Sequence, residues 1–202
     1  MANALTFPAV AELTQLQIDT VDLWHRQPIE NPYEGIKSLV CQQHEFNYRL
    51  WHEEDKARSP SATDQEIATV KRAIDGFNQA RNDMIEKVDD ALTAILCDAG
   101  VSAAEGPINT ETPGSAIDRL SIMSLRLYHY REQADRADAD DSHRAKVNER
   151  IALCEQQHAD LSTSLQQLLD DIFAGQKQHR TYRQMKMYND PTLNPSIYDA
   201  KK

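Results

Sequence analysis

The chain has 202 residues, of which 40% are hydrophobic and 27% charged, and a formal net charge of −10. That length suits one good core rather than two, since a domain takes about 100–200 residues. The acidity argues against a general nucleic-acid binder, which needs a basic face to release counterions.

With 6 Gly and 8 Pro, few breaks interrupt long periodic runs, so the chain reads as all-α. The expected architecture is a single domain over 1–202, an up-down bundle of four to five long antiparallel helices with an ordered C-terminal tail. A first amphipathic helix over about 8–26 repeats Val10, Leu13, Leu16, Val21 and Trp24, and the stretch from Gln27 to Pro32 ends it. A second runs over 33–58 and stops at Ser59-Pro60. A third, over 63–99, opens with Thr63 and Glu66 as a capping box and stops at Gly100. A fourth, over 113–138, starts with Thr112 as N-cap and Pro113 at the first helical position. Its apolar residues point nearly all round, which makes it the most central helix. A fifth, over 142–175, carries Val147, Ile151, Cys154, His158, Leu161, Leu165, Leu168 and Ile172 along a heptad-like seam.

The segment 176–202 holds Tyr182, Tyr188 and Tyr198 with Met185 and Met187, richer in aromatic residues than a disordered tail. From Gly175 onward six cations, among them Arg183 and Lys186, face two acids. A basic tail packing over an acidic pocket is expected. Cys41, Cys97 and Cys154 each sit in an apolar helical context and read as buried free thiols. No export signal opens the chain and nowhere do about 18 apolar residues run together, so a cytoplasmic protein without membrane insertion is expected.

Two polar stripes carry the functional signal. On the second helix His44, Asn47, Trp51, Glu54, Asp55 and Arg58 recur at three- and four-residue spacing; on the third, Lys71, Asp75, Asn78, Asn82 and Asp89 do the same. Each set falls within one sector of its helix, and together they suggest a lined polar pocket. The alternative is a set of buried ion pairs fixing helix register. For a pocket, Arg58, Lys71, Arg81 and Arg119 would hold an anion, Asn47, Asn78 and Asn82 would orient it, and His44 or Asp75 would handle a proton. Trp51 and the tail residues Tyr182, Arg183, Lys186 and Tyr188 would complete the contacts.

Glu54, Asp55, Asp75, Glu86 and Asp89 offer the oxygen ligands that Mg²⁺ prefers, and Lys71 and Arg81 offer neutralisation without any metal. Glu86 and Asp89 match half of the acidic signature of the all-helical nucleoside-triphosphate pyrophosphatases, whose second pair of acids is missing. A di-iron site would need two Glu-x-x-His units, and only Glu155 to His158 fits. The start of the fourth helix, Thr112-Pro113-Gly114-Ser115, leaves free N–H groups at the positive end of a helix dipole, with Asp118 and Arg119 one turn on. Ser115 and Ser121 lack a nucleophile elbow. His129, between Tyr128 and Tyr130, reads as a packed, partly polar helix surface.

The stretches from His44 to Arg58, Lys71 to Asn82, Glu111 to Ile122 and Tyr182 to Pro191, in that order, resemble a bacterial helical family, domain of unknown function 4254. The resemblance covers most of the chain. It names no activity; it implies a genomic setting in surface-polysaccharide assembly. The leading expectation is a pocket that binds or processes a small anionic metabolite such as a phosphorylated sugar or nucleotide. The rival is a non-enzymatic interaction or structural protein whose polar seams only hold the helices and whose tail or acidic surface engages another protein, with the fifth helix as the apolar strip that would pair with a second copy.

Overall fold

A computed structural model describes residues 7–101, 105–185, 187 and 190–199. They form five long helices, α1 (Val10–Trp24), α2 (Gly35–Ala57), α3 (Asp64–Asp98), α4 (Pro113–Ala134) and α5 (Asp141–Phe173), and one short turn of helix, α6 (Pro195–Tyr198). No named strand occurs among the described residues; one isolated parallel bridge joins Ile108 to Gln178. The all-α bundle follows from the apolar periodicity of each helix. Among the described residues no helix is long and apolar enough to cross a membrane.

The helix starts are set by local chemistry. Thr63 accepts from the Glu66 amide while the Glu66 carboxylate takes the Thr63 amide at 2.8 Å, so two free donors of the first turn are satisfied at once. Thr112 caps α4 by accepting from the Ser115 amide at 3.1 Å. Helix α4 ends at Ala134 rather than near 138, because Asp135 to Asp138 would place acids against the negative end of its dipole; Arg136 turns back to pair with Asp138 instead. Gly35, with φ of 57°, takes the left-handed conformation that starts α2 two residues later than the periodicity indicates.

Helix α4 packs against α1, α2, α3 and α5 and is the centre of the bundle. The core gathers Leu13, Leu16 and Trp24 of α1, Val40 and Cys41 of α2, Val88, Leu92 and Ile95 of α3, Ile117 and Leu120 of α4, and Leu165, Leu169 and Ile172 of α5. The α5 seam is used inside the chain: Val147, Cys154, Leu165, Leu168 and Ile172 are buried, which leaves Leu153 as the exposed large apolar residue of that helix among those described. Its surface is therefore not the long apolar strip that pairing with a second copy would need. The thiols divide as well. Cys41 and Cys154 are buried, and burial pushes the Cys41 thiol up to about 12, whereas Cys97 is exposed on the outer side of α3, contrary to the expectation of three buried thiols.

Candidate functional site

Where α2 crosses α4, a polar node lies inside the bundle. Gln43, His44 and Asn47 share one face of α2; Asp118 and Ser121, one turn apart, answer them from α4. Asn47 donates from one amide nitrogen to Asp118 Oδ1 at 2.9 Å and to Ser121 Oγ at 2.8 Å. Gln43 donates to the same Asp118 oxygen. His44 Nδ1 meets Ser121 Oγ at 2.7 Å, and its ring stacks on Trp24 with centroids 5.2 Å apart. Arg81 of α3 approaches Asp118 only loosely, Nε to Oδ1 3.9 Å. Burial raises the Asp118 carboxyl above its usual range, opposed by the Arg81 charge and the two amide donors.

The same burial takes His44 to about 3, because a charged imidazole at zero exposure has lost its water; the backbone at Gln17 opposes this weakly. At neutral pH His44 is an uncharged ring inside the bundle. It belongs to the node beneath the surface, and a buried neutral imidazole of such low basicity is a poor general base.

Above the node opens a cleft of about 430 Å³, lined by Asn47, Leu50, Trp51, Glu54, Asp55 and Arg58 of α2, Asn78 and Arg81 of α3, and Ile122 and Leu125 of α4. One wall is apolar and one is charged. Arg58 pairs with Glu54 at 2.5 Å, and Trp51 stacks face to face on His129 at 4.6 Å. Arg81 is the most telling group: its Nε is buried without a hydrogen-bond partner. A buried guanidinium N–H left unpaired is costly unless a ligand or water completes it.

The remaining expected site residues lie elsewhere. Lys71 and Asp75 form an exposed ion pair along α3, one turn apart, outside the cleft, and Asn82 is half-buried on α3 without lining it. Asp75 therefore does not line the cleft. Arg119 pairs with Glu111 at 2.6 Å and borders a different groove, between α4 and α5, of about 600 Å³.

The N-terminus of α4 does hold an anion, but it is the chain's own. Asp89 of α3, 1% exposed, accepts from the Gly114 amide at 2.7 Å. A Cβ on Gly114 would lie 2.6 Å from the Ile85 carbonyl oxygen and 2.9 Å from Asp89 Oδ1, so glycine is what lets the two helices close on this carboxylate. Burial raises Asp89, against hydrogen bonds from Thr112 and Gly114. Ser115 lines a neighbouring cleft together with Glu86, Asp89, Tyr182 and Arg183.

The described start of the tail, Tyr182 to Gln184, docks there, and none of the described tail residues lines the α2–α3–α4 cleft. Arg183 forks onto Asp90 at 2.7 and 2.9 Å and reaches Glu86 at 3.1 Å, while the Gln184 amide donates to Glu86 at 2.8 Å. Tyr182 is more than half exposed, and Lys186 and Tyr188 lie outside the described residues. Four of the five carboxylates considered for Mg²⁺ are dispersed among separate partners, Glu54 with Arg58, Asp75 with Lys71, Glu86 with Arg183 and Asp89 with Gly114, while Asp55 lines the α2–α3–α4 cleft. Among the described residues they form no cluster of three suited to an ion.

Two features escaped the sequence reading. Gln43 stands one turn before Asn47, so its place in the node was readable from the same i, i+4 rule. His25 and His52 gather with His129 from three helices, and no spacing along the chain announces such a meeting.

The architecture is thus an all-α bundle with a polar node under an amphipathic cleft. Residues 37–181 match the family described as protein of unknown function (DUF4254), and the chain belongs to that family. The matched stretch contains every residue lining the cleft and begins after α1. No curated protein and no solved structure matches the chain.

Proposed function

We propose that the α2–α3–α4 cleft binds a small anionic metabolite, of the phosphorylated-sugar or nucleotide kind. The observation that carries this reading is the buried Nε of Arg81, without a hydrogen-bond partner, on a residue that lines a cleft of about 430 Å³. That volume falls within the usual range for small-molecule pockets. A phosphate or carboxylate oxygen at Arg81 would complete the guanidinium's hydrogen bonds and balance a charge that Asp118, 3.9 Å away, only partly meets. Asn47 and Asn78 supply amides for hydroxyl or ring atoms, and Leu50, Trp51, Ile122 and Leu125 offer an apolar wall to a sugar or base face. Arg58 exchanges Glu54 for the ligand at small cost, since that pair is exposed. A sugar nucleotide, the ligand class suited to polysaccharide assembly, carries all of these groups.

Thermal unfolding with a panel of sugar phosphates, nucleotides and sugar nucleotides, with and without Mg²⁺, tests the reading. A binder at a hundredfold over its Kd stabilises the fold by about 2.7 kcal/mol. A flat panel counts against it. A second reading, contact with another protein, is favoured by the tail, where Met185 is 89% exposed and Met187 and Leu193 also face solvent. Sedimentation over a range of concentrations tests self-association through that surface.

A further inference from the structure

Three helices bring one histidine each to a common point. His25 closes α1, His52 stands on α2 and His129 on α4, and each offers a ring nitrogen within 4.8 Å of the others. All three are partly buried. Their hydrogen bonds fix which nitrogen is left over. His25 Nδ1 lies 2.6 Å from the Val21 carbonyl oxygen, His52 Nδ1 2.8 Å from the Tyr48 carbonyl oxygen, and His129 Nδ1 2.7 Å from the Glu132 carboxylate.

Each of these partners can only accept, so in all three rings Nδ1 carries the proton and Nε2 holds the lone pair. The Nε2 atoms of His25 and His129 are buried and have no hydrogen-bond partner. Two buried lone pairs without a donor go unsatisfied. An aromatic frame nevertheless holds the rings there: Tyr128 stacks on His25 at 4.0 Å, Trp51 on His129 at 4.6 Å, and Tyr48 packs against His25 and His52.

We infer that His25, His52 and His129 form a binding site for a divalent transition ion of the Zn²⁺ type, ligated through three Nε2 atoms. The outer hydrogen bonds support this, because ligand histidines typically donate their other N–H to a backbone carbonyl or a carboxylate, and here each does so. Neutral imidazoles select Zn²⁺ and its neighbours over Mg²⁺ or Ca²⁺, which prefer oxygen. Metal–nitrogen bonds of about 2.0–2.1 Å place tetrahedral ligand atoms about 3.3 Å apart, so the rings close inward by small side-chain rotations. Three protein ligands leave the fourth position open, as in zinc sites that bind a water or another exchangeable ligand. Trp51 links the two sites: one face of its ring stacks on His129, and the residue also lines the cleft. The inference stands independently of what the cleft binds.

The test uses untagged full-length protein freed of metal by a chelator. Titration with Zn²⁺ against a chromophoric competitor is expected to give one ion per chain, and Co²⁺ is expected to show the intense visible bands of a four- or five-coordinate nitrogen site. His25→Ala, His52→Ala and His129→Ala each abolish the Co²⁺ bands, while Glu132→Gln weakens Zn²⁺ binding by about 10–100-fold. Circular dichroism confirms that the variants remain helical. For any variant that unfolds, the wild-type chain decides: one equivalent of Zn²⁺ shifts the imidazole C–H resonances of three of its seven histidines together. Absence of binding at micromolar Zn²⁺, binding that survives all three alanine substitutions, or binding lost on Cys97→Ser overturns the proposal.

Discussion

Replacing His44 by Gln gives the sharpest test of the buried node. In the folded chain the His44 ring is fully buried and its pKa falls from 6.5 to about 3, chiefly through loss of water. A base depressed on folding takes up its proton more readily when unfolded, so the native state is favoured fully above pH 6.5. That advantage is lost as the pH falls from 6.5 towards 3. The whole gap corresponds to roughly 5 kcal/mol, of which about 2 kcal/mol is lost by pH 5. Asp118 and Asp89, raised by burial, work the other way: their native forms hold protons more tightly, so they gain stability as the pH falls through their folded values. Both acids are present in wild type and variant, and their contributions cancel in the difference. Urea unfolding followed by circular dichroism at pH 7.5, 6 and 5 is therefore expected to show the wild-type advantage over His44→Gln shrinking by about 2 kcal/mol. A difference that stays constant with pH would refute the picture of a dry, neutral His44.

The other predictions concern two of the places where α3 meets its neighbours. Gly114→Ala pushes a methyl group onto the Ile85 carbonyl and Asp89, so overpacking and a weakened charged hydrogen bond together cost about 3 kcal/mol. For a chain of this size that lowers Tm by about 6–12 °C; an unchanged Tm would show that α3 and α4 are not locked through this contact. Glu86→Ala removes the acceptor of the Gln184 amide and one partner of Arg183. Amide exchange at Gln184 is expected to speed up with little change in Tm, since the contact is exposed, and unaltered exchange would mean the tail is held by other means.

Much of the fold was legible because its determinants are local. The Thr63–Glu66 box, the Thr112-Pro113 start and the seam from Val147 to Ile172 state helix position and inward face within a few residues. The cleft was half legible: Asn47, Trp51, Glu54, Asp55 and Arg58 share a helical sector, and that sector does line it, with Asn78 and Arg81 opposite. Lys71 and Asp75 share the second stripe but stand exposed on α3, although Ile74 between them is buried, and periodicity fixes direction around a helix without fixing what stands beside it. Asp89 shows the same limit from the other side. Its spacing suggested a ligand acid, but the partner 25 residues on is an amide at the start of α4. The histidine cluster depends on where α1 ends relative to α2 and α4, a three-body relation that no single periodicity encodes.

Calorimetric titration of the best ligand from the anionic panel into wild type and Arg81→Gln tests the cleft most directly. The account predicts one site per chain in the wild type and a loss of about 1.5–3 kcal/mol in the variant, the usual contribution of a hydrogen bond to a charged group. Equal affinity in both proteins, each folded by circular dichroism, would contradict it.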